Sequence, residues 1–245
     1  MNNHISYRSG NPALNKNTFI NIKASESQAM TLEGTVNKTI LSLIILFSTA
    51  IFSWNNFNGA FIGIGGIGGF IVALITIFKK EWAQITTPIY CGLKGLMLGS
   101  LSIIFENQYP GIVSQAIFLT FGILFALLFA YKSKIIKPSE NFKLGIFAAT
   151  GGIFIIYIIN MIMSFFGSSI PLINSNSLYG IGFSLFVVII ASLNLVLDFD
   201  FIEQGAENGA PKYMEWYGAF GLMVTLIWLY LEILKLLAKL NSRRN

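Results

Sequence analysis

The chain is 245 residues long, 54% hydrophobic and 14% aromatic, with a formal net charge of +5. Only 11% of it is charged, far below the share (about a quarter) that an average soluble domain carries. Too little polar surface remains to cover a soluble fold. The long uncharged apolar runs define an all-α polytopic membrane protein, and the basic excess then ceases to point to nucleic acid.

The single histidine, His4, lies in a polar tail, and the single cysteine, Cys91, lies inside an apolar run. An intrachain disulfide, a Ser-His-Asp triad at depth and a His/Cys zinc cluster are all excluded. No nucleophile–base pair can be assembled from the intramembrane residues, so neither enzymatic activity nor a bound cofactor is expected.

In chain order, residues 1–36 read as a polar, basic N-terminal tail carrying Arg8, Lys16 and Lys23. No apolar run lies close to Met1, so a cleavable signal peptide is not expected. Seven apolar segments follow at about 37–54, 58–78, 85–104, 112–131, 144–166, 178–201 and 216–238, each near the roughly 20 residues that a span requires. Together they make a seven-helix domain over 37–240, with a short basic tail over 241–245. Trp54-Asn55-Asn56, Asn107 to Gly111, the Ser/Asn/Gly-rich stretch Gly167–Asn176 and Asn208-Gly209-Ala210-Pro211 supply the breaks between spans.

Lys38, Lys79, Lys80, Lys132, Lys134, Lys137 and Lys143 fall on one side of this pattern. The positive-inside rule therefore places the N-terminus in the cytoplasm, as expected for a bacterial inner (plasma) membrane protein. Lys235, Lys239, Arg243 and Arg244 fall on the opposite side. Either one span is re-entrant, or the early loops dominate the orientation.

Within the second span, Gly63-Ile64-Gly65-Gly66-Ile67-Gly68 satisfies GxGxxG. Without a preceding strand or a phosphate-accessible loop, it reads as helix packing through Gly59/Gly63 and Gly65/Gly69. Lys94 lies mid-span, where a charge costs about 2.5–3.5 kcal/mol on insertion scales, and reads as a counter-ion to carboxylates, a snorkelling residue or half of a structural pair.

The richest signal is acidic: Asp198, Asp200, Glu203 and Glu207 late in span six, and Glu232 in span seven. Intramembrane carboxylates mark ion or proton pathways. Asp198 shares a helical face with Ser184, Ala191 and Asn194, whereas Asp200 faces the other way, nearer the interface. Asp198, Asp200, Glu232, Asn194 and Lys94 are the candidate site residues.

Several motifs resemble the Bax inhibitor-1 / YccA-like family. They are Leu197-Asp198-Phe199-Asp200-Phe201-Ile202-Glu203-Gln204-Gly205, Leu229-Tyr230-Leu231-Glu232-Ile233-Leu234, Ser9-Gly10-Asn11-Pro12-Ala13-Leu14 with Asn17-Thr18-Phe19, Met30 to Thr35, and Tyr109-Pro110-Gly111-Ile112-Val113. The resemblance implies six helices around a central seventh, and a pH-sensitive Ca²⁺ leak. A dyad of acids in spans six and seven would sense protons, with Asp198 matching the first position and Glu232, in place of Asp, the second. These two would also supply hard oxygen contacts to Ca²⁺.

The sequence departs from that pattern in three ways. Asp198 and Glu232 are 34 residues apart, so an antiparallel hairpin turning near Pro211 sets Asp198 level with about Leu222, which leaves either one dyad or two successive stations on a path. Lys94 stands where similar sequences have Glu, and Glu232 is longer than Asp. The expected function is a protonation-gated leak of Ca²⁺ or H⁺. The alternative is a non-conducting protein that binds membrane proteases or other membrane partners through its basic tail and loops.

Overall fold

The computed structural model describes residues 29–244. The motif around Ser9–Phe19 and the tail residues Arg8, Lys16 and Lys23 lie outside the described residues. Seven helices are long and apolar enough to cross a bilayer: α1 (Leu32–Asn55), α2 (Ala60–Phe78), α3 (Ala83–Gln108), α4 (Ile112–Lys132), α5 (Glu140–Phe165), α6 (Leu178–Glu207) and α7 (Met214–Arg244). Each expected span matches one of them, 58–78 starting just before α2 and 144–166 ending just after α5, and all seven are long enough to cross fully. The chain is all-α, and Lys235 and Lys239 do lie at the end opposite the α2–α3, α4–α5 and α6–α7 connections.

The helices run past the apolar stretches that announce them. α1 starts a turn early because the Thr31 side chain accepts from Gly34 N, and Ser139 and Ser177 cap α5 and α6 in the same way. Such caps satisfy amide groups that the first helical turn leaves orphaned. At the other end α6 continues through Glu207, beyond the apolar run, because Asp200 and Glu203 find partners on neighbouring helices.

α7 forms the core. Tyr217, Ala219, Phe220, Met223, Leu229 and Leu234 on it are all buried. It packs against α1, α3, α4 and α6, while α2 lies on α3 and α5 on α6. The central helix is thus flanked closely by four helices rather than ringed evenly by six. Outward faces are apolar, as at Ile67, Phe118, Phe154 and Phe165, and buried positions include Ser42, Thr87, Ser100, Asn194, Asp198 and Glu232. A soluble fold shows the reverse distribution. Apolar burial gains little against lipid, so close van der Waals packing and interhelical hydrogen bonds must hold the bundle.

The α1–α3 seam depends on two small residues. A Cβ on Gly95 would collide with Thr49 and with the Leu46 carbonyl, and one on Gly99 with Ser53 and the Ala50 carbonyl. In α2, Gly65 meets the backbone of Leu93 and the side chain of Met97, and Gly69 meets Lys94. The packing reading of Gly65/Gly69 therefore holds, whereas Gly59 and Gly63 face open space. The glycine-rich Ile64–Gly68 segment is a π-helical turn.

The α6–α7 connection is pinned by the start of the described chain. Ala29 bridges Pro211, and Met30 N donates to Ala210 O at 2.6 Å. Both Thr31 N and Thr31 Oγ1 donate to Glu215 Oε1, at 3.0 and 2.8 Å, and Lys212 pairs with the same oxygen at 2.8 Å. A carboxylate is thereby set against the N-terminus of α1, where the helix dipole favours it.

Candidate functional site

The register between α6 and α7 places the acids. Gly218 packs on Ile202, the rings of Phe201 and Tyr217 are 6.4 Å apart, and Lys239 reaches Gly180 O and Ser184 Oγ. Extending this antiparallel register sets Asp198 level with about Leu222, and Glu232 level with about Val188. At 1.5 Å per residue the two carboxylates are offset by roughly 15 Å along the axis. They stand on either side of mid-depth in the bundle.

Asp198 is 0% exposed on the inner face of α6, with Ser184, Ala191 and Asn194 of the same face buried beside it. Glu232, on α7, is 1% exposed. Its two oxygens are both engaged: Tyr157 OH of α5 donates to Oε2 at 2.9 Å, and Lys235 Nζ donates to Oε1 at 2.9 Å. Glu232 is therefore joined to α5 and to its own helix rather than to Asp198. A buried carboxylate keeps its charge only with such donors.

Lys94 takes a different direction from the acids. Its ammonium lies 5.9 Å from the Tyr90 ring centroid, and its chain covers Gly69 of α2. Tyr90 meets Phe220 edge to face and Ser102 bonds Tyr230, which makes α3 parallel to α7 and sets Lys94 level with about Met223. Lys94 and Asp198 thus share one height on two neighbours of α7, and the Lys94 side chain points to the α2–α3 interface.

Asn194 Nδ2 donates to Thr150 Oγ1 and to Ile190 O, both at 2.9 Å, tying α5 to α6. Its Oδ1 is buried without a hydrogen-bond partner among the described residues. Asp200 forms an ion pair with Lys143 of α5 at 2.6 Å and accepts from Gln204 Nε2 at 2.6 Å. One turn on, Tyr131 of α4 donates to Glu203. The late-α6 acids thus clamp α6 to α4 and α5.

The sequence reading missed Tyr157, Thr31, Tyr131 and the role of Lys239, each of which acts across helices far apart in the chain. Only Lys143 carried a signal: it is a charge in the first turn of a span. Lys239 donates to Ile173 O, Gly180 O and Ser184 Oγ at 2.6, 3.0 and 2.8 Å, so it is a buried structural cation.

Of the cavities among the described residues, two differ in character. One, of about 160 Å³ among α1, α3, α4 and α7, is walled by residues such as Leu46, Trp54, Phe121 and Leu226, and no charged residue lines it. The other, of about 400 Å³ at the C-terminal end, is lined by Tyr157, Lys235 and Lys239 among others. Among the described residues, no three of His, Cys, Asp or Glu come together as a metal site.

Seven helices long and apolar enough to cross a bilayer, with Asp198 and Glu232 buried among them, define an integral membrane protein. The chain belongs to the Bax inhibitor 1 like family, whose profile matches residues 11–242. Searches of curated proteins and of solved structures returned no match.

Proposed function

We propose that the protein is a regulated leak for Ca²⁺ or H⁺ in a bacterial inner membrane, oriented with its N-terminus in the cytoplasm. Its path follows the α6–α7 hairpin, and Asp198 and Glu232 act as separate titrating stations rather than as one dyad. The reading rests chiefly on one observation: two carboxylates buried at different depths of adjacent core helices. Burial of acidic groups is costly enough in a membrane that it is retained mainly where charge or protons move.

Each station differs in its surroundings. Glu232 is latched by Lys235 and Tyr157, so a proton on Glu232 removes its charge attraction for the Lys235 ammonium. Asp198 is buried in the α6–α7 packing, and its charge would supply a hard oxygen ligand to a passing cation. Ca²⁺ takes six to eight oxygens, so each station would act with water or backbone groups, with no resident cofactor and no catalysis.

The test is Ca²⁺ entry into dye-loaded liposomes over a pH series, for wild type, Asp198→Asn and Glu232→Gln. The proposal expects each variant to change both the flux and its pH profile. Equal fluxes in all three at every pH remove these residues from any pathway. Absence of flux even in the wild type, with a stoichiometric membrane protein co-purifying, favours a non-conducting partner-binding role instead.

A further inference from the structure

The cavity of about 400 Å³ at the C-terminal end has a chemistry that the leak does not use. Its polar lining is Gln108, Tyr109, Asn160, Asn176, Lys235 and Lys239 (with Tyr157 at its base), and no carboxylate is part of it. Glu232 lies beneath, 1% exposed and already bonded.

The two lysines leave positive charge in the cavity. Lys239 is held by two carbonyls and a hydroxyl, all neutral acceptors, and the two lysines share a single carboxylate, Glu232. Lys235 has a half-exposed side chain and spends one hydrogen bond on Glu232, while an ammonium offers three. Gln108, Tyr109 and Asn176 add uncharged polar groups to the lining. A cation would be repelled here, and an anion with several acceptor oxygens would be drawn in.

We propose that this cavity binds a phosphate-bearing anion, with Lys235 as the direct contact and Lys239 supplying a fixed field. The phosphate could belong to a lipid headgroup at the bilayer surface, where basic pockets between spans capture anionic heads, or be free in solution. Binding competes with Glu232 for Lys235, so the site and the acid are coupled. The inference stands on the cavity and its charges and does not depend on ion flux.

The test uses the full chain purified in neutral detergent, titrated calorimetrically with inorganic phosphate. A second arm compares its thermal stability in phosphatidylcholine nanodiscs with and without phosphatidylglycerol. Lys235→Gln is expected to weaken binding about tenfold or more, the loss of one charge-assisted hydrogen bond, and Lys235→Arg to preserve it. Glu232→Gln is expected to tighten it, since the ammonium is released, and this variant carries the test if Lys235→Gln fails to fold.

Saturable phosphate binding with that pattern identifies a free-anion site. Stabilisation by phosphatidylglycerol alone, with the same order of variants, identifies a headgroup site. No response of the wild type to either probe, or a Glu232→Gln variant that binds no more tightly, overturns the assignment.

Discussion

At the scale of single residues, Glu232 shows how a bundle keeps an acid inside a membrane. One oxygen takes a phenolic hydrogen bond from another helix, and the other takes an ammonium from the next turn of its own. Removing the phenol leaves the carboxylate half-satisfied in a buried site, where hydrogen bonds to charged groups contribute about 1.5–3 kcal/mol. Tyr157→Phe should therefore lower the Tm of the detergent-purified protein, and Tyr157→Phe combined with Glu232→Gln should recover most of that loss. An unchanged Tm in the single variant would mean that water replaces the phenol. Glu232 was legible in the sequence as an acid inside span seven, and the structure adds its ion pair with Lys235 one turn on. Tyr157 was not legible, because an uncharged phenol in an apolar run carries no sign of what faces it.

Among elements, the contact that most constrains the bundle is between α1 and α3. Gly95 and Gly99 let two backbones approach until each would-be Cβ meets a carbonyl of the other helix. Backbone cannot yield as a side-chain tip can. Gly99→Val should part the helices at an overpacking cost of about 1–3 kcal/mol or more, seen as a lower Tm and a broadened size-exclusion peak, whereas Gly122→Ala, where nothing lies within 4 Å, should leave both unchanged. The seven spans themselves were legible because a bilayer demands uninterrupted apolar runs. Their ends were less so, since Thr31 and Ser139 cap α1 and α5 ahead of the apolar runs. The second span's glycine pairs were read as packing, and only the pair facing α3 packs. Sequence spacing gives a common face but not the neighbour that occupies it.

For the whole molecule, the puzzle of basic residues at the C-terminal end is answered by what they hold. Lys239 ties α7 to the segment around Ile173 and to the start of α6, and Lys235 neutralises Glu232. These lysines have local duties, just as Lys143 has in its ion pair with Asp200. The same long-range view separates the two acids. A common helical face, a hairpin turn and the height match to Leu222 were all readable in the sequence, and they pointed to successive stations. What the sequence could not supply was the side-chain direction of Lys94, which lies over Gly69 rather than toward either acid.

Separate stations and a shared-proton dyad differ in one measurable respect: energetic coupling. Sites more than about 7–10 Å apart, with no common partner, act additively, whereas groups in one hydrogen bond do not. The decisive measurement is a double-mutant cycle on Ca²⁺ entry into liposomes, using wild type, Asp198→Asn, Glu232→Gln and the double variant at matched reconstitution. The account predicts that each single change alters the flux and that the double variant's logarithmic change equals the sum of the two. A double variant indistinguishable from either single would contradict it and restore the dyad.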